Sequence, residues 1–139
     1  MKTIVDTNIG LLGLRRRPEL LNPKESRLKR ELGELISDDQ AVLIGAIRQE
    51  VLSGVRDAVS FERLKKALRD FSDHAVAADD YETAAAISNA CRTAGLSGSP
   101  IDYLLCAVAQ RHRFSIFAID GDFERYAKVL PIKLHRVAD

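Results

Sequence analysis

No tryptophan occurs in the 139 residues, cysteine appears twice, and neither sign of charge predominates: 21 Lys and Arg face 20 Asp and Glu, a formal net charge of +1. This balance argues against bulk, sequence-blind coating of DNA, although a local field can differ from the average. Cys91 and Cys106 stand 15 residues apart with no CxxC pairing and read as small reduced core residues. The longest uninterrupted apolar run, Tyr103 to Ala109, has seven residues, against about 20 for a bilayer span. MKTIVD carries no signal-peptide pattern, so the expectation is a cytoplasmic protein without a membrane partner. The histidines His74, His112 and His135 lack HxH or HExxH spacing, and neither a GxSxG elbow nor a GxxxxGKS/T loop is present. Zinc-hydrolase, serine-hydrolase and P-loop chemistry therefore have no support in the motifs.

What is present is a 46% hydrophobic chain long enough to bury roughly two-thirds of its unfolded surface in a single domain spanning 1–139. Short apolar runs alternate with longer helical stretches, the signature of strands joined by helical crossovers. The strands expected are Thr3 to Val5, Ala41 to Ile44, His74 to Ala77, Ser115 to Ile119 and Ile132 to Val137. Each is brief and apolar, as strands covered on both faces should be, giving an α/β fold around a largely parallel five-stranded sheet. The helices expected are Ile9 to Arg16, Lys24 to Ile36, Ile47 to Val55, Ser60 to Phe71, Asp80 to Ala94, Pro100 to Arg111 and Phe123 to Val129. Ser99-Pro100 is a helix start, because serine accepts an orphan N–H and proline is preset for the first turn. Asp79 or Asp80 is expected to cap the preceding helix, which stops at Gly95.

The acids fall where the elements change. Asp6, followed by Thr7 and Asn8, closes the first strand, and Asp120 and Asp122 follow the apolar run SIFAI. Glu50 lies on a helix that directly follows a strand, and Asp102 lies in a first helical turn. Each has a structural explanation: Asp6 or Asp122 as a cap, Glu50 as a solvated residue, Asp102 as an acid at a helix's positive end. Taken together, they deliver carboxylates to what could be one end of one sheet, where ligands of open parallel sheets bind. Such a cluster would repel itself unless a cation sat within it, and an oxygen-only donor set suits Mg²⁺ or Mn²⁺ over Zn²⁺. Divalent ions so placed serve phosphodiester hydrolysis, by acidifying an attacking water and holding the scissile phosphate, with no protein nucleophile.

Four segments carry a family resemblance: VDTNI at Val5 to Ile9, RQEVLSG at Arg48 to Gly54, SPIDYLLCAVA at Ser99 to Ala109 and AIDGDF at Ala118 to Phe123. In this order and spacing the chain resembles a PIN-domain ribonuclease, specifically a VapC-type toxin of a toxin–antitoxin pair, over nearly its whole length. The resemblance implies a three-layer α/β/α domain with Mg²⁺- or Mn²⁺-dependent endoribonuclease activity, usually homodimeric, and inhibition by a small VapB-like antitoxin. It assigns Asp6, Glu50, Asp102 and Asp120 to the acidic metal-binding positions, with Asp122 as an auxiliary or alternative fourth ligand and Thr7 and Asn8 as supports. An antitoxin arginine commonly meets those carboxylates in the family, a guanidinium taking the cation's place. Two positions depart from the pattern. Gly10 stands where an aromatic is frequent, implying weaker packing or partner contact, and Ala118 replaces a hydroxyl two residues before Asp120, implying weaker metal affinity or a lower rate.

Between Arg15 and Arg30 seven basic residues meet two acids, which reads either as a solvated face or as an RNA backbone contact. Arg15, Arg16, Lys29 and Arg30 are the phosphate contacts expected, for instance to a tRNA or rRNA. Leu11, Leu12 and Leu14 are apolar contacts for an antitoxin in the same region. With little aromatic interleaving, RNA shape is the expected basis of recognition. Two other readings fit the acids: an aspartyl-phosphate phosphotransfer protein with Asp6 as nucleophile, in which Asn8 would replace the second acid of a DxD pair, and a PIN-like module that binds a partner with weak or no catalysis.

Overall fold

The computed structural model describes residues 2–14, 18–119 and 121–137. Five strands, β1 (Thr3–Val5), β2 (Ala41–Leu43), β3 (Ser72–Asp73), β4 (Ser115–Phe117) and β5 (Lys133–Leu134), form one sheet in the order β3-β2-β1-β4-β5. All four pairings are parallel. Thr3 lies opposite Ala41 on one side and Ser115 on the other. The three central strands are buried at every position, which is why each reads as an unbroken apolar or small run.

Among the described residues seven α-helices fill the crossovers: α1 (Thr7–Leu14), α2 (Pro23–Ser37), α3 (Gly45–Leu52), α4 (Ala58–Leu68), α5 (Ala78–Thr93), α6 (Pro100–His112) and α7 (Asp122–Tyr126). Because parallel crossovers are right-handed, the two steps from β1 to β3 put α1–α4 on one face. The return from β3 to β4, on the far side of β1, puts α5 and α6 on the other. The contacts agree: α1 packs on α2, α3 and α4, whereas α5 packs on α6. This is the α/β/α layering expected, and it sets the direction reversal between β1 and β4.

Helix starts follow local chemistry. Asn22 caps α2 reciprocally, Asn22 Oδ1 accepting from Glu25 N–H at 2.8 Å and Glu25 Oε1 accepting from Asn22 N–H at 3.1 Å, with Pro23 in the first turn. Ser99 Oγ accepts from Asp102 N–H at 3.1 Å, as its place before Pro100 implied. The chain leaves α5 through Gly95, whose φ of +79° is the left-handed conformation glycine takes without strain. Cys91 and Cys106 are free and buried.

Three expectations are corrected. The third strand is Ser72–Asp73, not 74–77; His74 N–H still donates to Leu43 O at 2.8 Å, after which the chain leaves the sheet. Val76 packs against the core from a loop, so its apolar character recorded burial and not pairing. The fifth strand is shorter than 132–137 for the same reason, with Ile132 and Val137 packed outside it. Neither Asp79 nor Asp80 is the residue before α5, which is Ala77; Asp80 lies in the first turn, fully buried, and accepts from Ala77 N–H at 2.9 Å.

Candidate functional site

The winding of the sheet reverses between β1 and β4, and a doubly wound sheet binds ligands beyond the carboxyl ends of the strands at such a reversal. Asp6 is the first residue past β1. Its N–H donates to Phe117 O at 3.0 Å, continuing the ladder to β4, and its carbonyl accepts from Gly10 N–H at 3.1 Å, opening α1. The chain therefore turns from strand to helix at Asp6, whose side chain is only 5% exposed. Burying a carboxylate is costly in the absence of a compensating cation or donors.

Glu50 reaches this end from α3. Thr7 Oγ1 donates to Glu50 Oε1 at 2.5 Å, joining the residue beside Asp6 to the exposed face of α3. The closeness of the two helices depends on Gly10. It is buried, and a Cβ there would stand 3.3 Å from Val51 Cγ2. Gly10 therefore tightens the packing of α1 on α3, contrary to the looser contact its departure from the family pattern implied. Leu12 also departs from expectation: it is 3% exposed and belongs to the core, out of a partner's reach. Leu14 instead lines a cavity of about 300 Å³ with Val55, Arg56, Arg63 and Leu64.

Asp102 comes from the start of α6. Tyr126, buried at the end of α7, donates its hydroxyl to Asp102 Oδ2 at 2.8 Å. The phenol is pushed well above its ordinary pKa by burial, then by its bond to Asp102 and by the charges of Asp102 and Asp122. Cys106, one turn along α6 from Asp102, is pushed up by burial and by the charges of Asp102, Cys91 and Asp6. Asp122 is the first residue of α7 and pairs with Arg125; the residue before the helix is Gly121.

Tyr126 is the site residue that sequence reasoning missed. The signal available was an aromatic one turn past DGDF, which reads equally as core, and Tyr126 is core as well. Gly98 makes its placement possible. A Cβ there would stand 2.5 Å from the Tyr126 hydroxyl and 2.7 Å from that of Tyr103.

Asp120, Arg15 and Arg16 lie outside the described residues. Lys29 and Arg30 line a groove along α2 with Gly33 and Glu34 of the same helix and with Leu21 and Asp38 just beyond its two ends. A separate cavity of about 240 Å³, beside the loop that follows β4, is lined by Ala118 and Ile119 together with Lys24, Arg27 and Arg136. Glu124 lines the same cavity and pairs with Arg136 at 2.7 Å, while Lys24 and Arg27 come from the basic stretch that the sequence marks. Asn8 is exposed on the first turn of α1, beside Thr7.

Asp6, Glu50, Asp102 and Asp122 each offer only carboxylate oxygens, the ligand type a hard divalent cation prefers, but among the described residues their ligand atoms form no group of three as close as 4.8 Å. No helix among the described residues is long and apolar enough to cross a membrane.

Comparison with known proteins agrees with the fold. No curated protein matches the sequence. Among solved structures, VapBC2 from Rickettsia felis bound to a promoter DNA fragment is similar with a TM-score of 0.79 at 14% identity, covering 99% of this chain and 100% of that one. FitAcB from Neisseria gonorrhoeae is similar with a TM-score of 0.73 at 20% identity, covering 96% of each chain. DNA-bound VapBC from Salmonella typhimurium gives 0.71 at 12% identity, covering 97% of each. At these identities the likeness concerns the fold. The PIN domain model matches residues 3–129, a span that runs from β1 to beyond α7 and includes every acid discussed above, and the chain belongs to the PIN-domain family.

Proposed function

We propose that this protein is a divalent-metal-dependent endoribonuclease, the toxin of a toxin–antitoxin pair, working in the cytoplasm as a homodimer and held inactive by a VapB-like antitoxin. The observation that carries the reading is a buried Asp6 placed directly past the carboxyl end of β1, with the adjoining Thr7 hydrogen-bonded to Glu50 of α3. Family membership and the similarity to solved toxin–antitoxin complexes support the biological setting. Asp6, Asp102 and one of Asp120 or Asp122 would hold Mg²⁺ or Mn²⁺. When bound, the ion supplies Lewis acidity toward water and neutralises charge on the phosphate.

The chain's own residues do the rest. Glu50, its Oε1 fixed by Thr7, accepts a proton on its carboxylate as water attacks. Tyr126 fixes the rotamer of Asp102, and so acts as a positioning residue. Lys24 and Arg27 attract the RNA backbone to the cavity beside Ala118, where Arg136 is already paired with Glu124, and Arg15, Arg16, Lys29 and Arg30 extend the basic field. The antitoxin occupies the cavity of Leu14, Val55 and Leu64, where Arg56, Asp57 and Arg63 offer charged contacts of both signs next to the apolar ones.

The test is cleavage of a total tRNA and rRNA pool by the antitoxin-free protein and by Asp102→Asn, each with Mn²⁺ and with chelator. Discrete fragments only with wild type plus metal are expected. Equal cleavage by Asp102→Asn, or in chelator, would refute the reading.

A further inference from the structure

Apart from the acids, the fold gathers a second group of metal-ligating side chains that the proposed reaction does not use. His74 follows β3, Asp80 lies in the first turn of α5, and His112 is the last residue of α6. One ligand atom from each lies within 4.8 Å of the others. His112 Nε2 and Asp80 Oδ1 are 3.1 Å apart, and the two imidazole rings are centred 4.2 Å apart. Asp80 has no exposed surface. His74 Nε2 is buried and has no hydrogen-bond partner among the described residues. A buried ring nitrogen in that condition lacks a proton donor or a cation.

We propose that His74, Asp80 and His112 bind a zinc ion, with water completing its shell, and that the ion clasps the end of β3, the start of α5 and the end of α6. Two imidazole nitrogens and one carboxylate suit zinc; Mg²⁺ and Ca²⁺ prefer oxygen donors alone. A tetrahedral zinc ion needs donors about 3.3 Å apart. The His112–Asp80 pair already meets that spacing, so the half-buried His74 ring supplies the closing movement.

Among the described residues two cations face the group. Arg111 forms an ion pair with Asp80 Oδ1 and stands 3.6 Å from Asp79 Oδ2, and the charge of Lys2 reaches His74. The Arg111 guanidinium is the counter-ion of the metal-free state, and Asp79 is within its reach when zinc takes Asp80. Burial, and then the neighbouring His112, hold His74 below its ordinary pKa, so its ring is neutral and competent as a ligand near neutral pH. The site is separate from the acids: His112 lies ten residues along α6 from Asp102, about 15 Å along the helix axis.

The test is a Zn²⁺ titration near pH 7.5 of wild type and of Asp102→Asn, following the ring resonances of His74, His112 and His135 by NMR. One equivalent is expected to move the His74 and His112 rings in both proteins, leave His135 in place, and resist a large excess of Mg²⁺. His74→Gln and His112→Gln should each bind at least tenfold more weakly. No uptake, or uptake that leaves the His74 and His112 rings unmoved, overturns the proposal. Because the spectra are recorded on chains that keep both histidines, the outcome stands even if a glutamine variant fails to fold.

Discussion

Tyr126→Phe isolates a single hydrogen bond. The ring stays, so the T-shaped contact with Phe123 at 5.3 Å and the packing on Tyr103 at 5.7 Å are kept. What is lost is one hydroxyl donor, 2.8 Å from Asp102 Oδ2. A hydrogen bond to a charged group contributes about 1.5–3 kcal/mol. Asp102 is half-buried and water can replace part of that bond, so the expected loss is ~1–2 kcal/mol. At about 2.1 cal/mol/K per residue, the unfolding entropy of 139 residues turns ~1.5 kcal/mol into a fall of about 5 °C in Tm. Urea unfolding in chelator, with Tyr126→Phe and Asp102→Ala singly and together, separates this bond from other consequences of each change. A coupling energy of ~1–2 kcal/mol is expected. A coupling under ~0.5 kcal/mol, with unchanged m values, would refute the view that Tyr126 holds Asp102. The same variant should cleave RNA more slowly than wild type yet retain its dependence on Mn²⁺.

Asp6→Asn removes a buried charge at constant shape, so the metal-free protein should melt higher than wild type and lose the stabilisation that Mn²⁺ gives; a fall of several degrees in chelator would mark Asp6 as a structural cap. Gly98→Ala drives a methyl group into the hydroxyls of Tyr126 and Tyr103, and should cost about 1–3 kcal/mol in thermal or urea unfolding while reducing cleavage in step with Tyr126→Phe. Alkaline pH gives a further test. Tyr103 and Tyr126 have raised pKa values in the fold, chiefly through burial, so above about pH 10 the unfolded chain releases phenol protons that the folded chain keeps, and stability falls with rising pH. The slope is about 1.4 kcal/mol per pH unit for each tyrosine, and Tyr126→Phe should remove one share of it.

The elements that local chemistry defines were legible in the sequence. β1 and the start of α6 follow from an apolar run and the Ser99-Pro100 pair, because caps and strand burial depend on neighbours a few residues away. Asp6 and Asp102 stood out for the same reason: an acid at a strand end and an acid in a first turn mark positions that local structure makes special. The ends of β3 and β5 were not legible, since Val76 and Ile132 bury themselves from loops and apolar character alone does not distinguish that from pairing.

What the sequence by itself determined is the α/β alternation, the family and the acids at element boundaries, all of which rest on contacts short along the chain. The tertiary structure alone decided that Tyr126 reaches Asp102, 24 residues away, and that Gly98 leaves room for it. It alone closed α1 onto α3 at Gly10 and Val51, and brought His74 to His112 across the crossover that carries α5 and α6. Such contacts join residues whose separation carries no periodic signature. Their partners are chosen by the order of strands in the sheet and by which helices share a face.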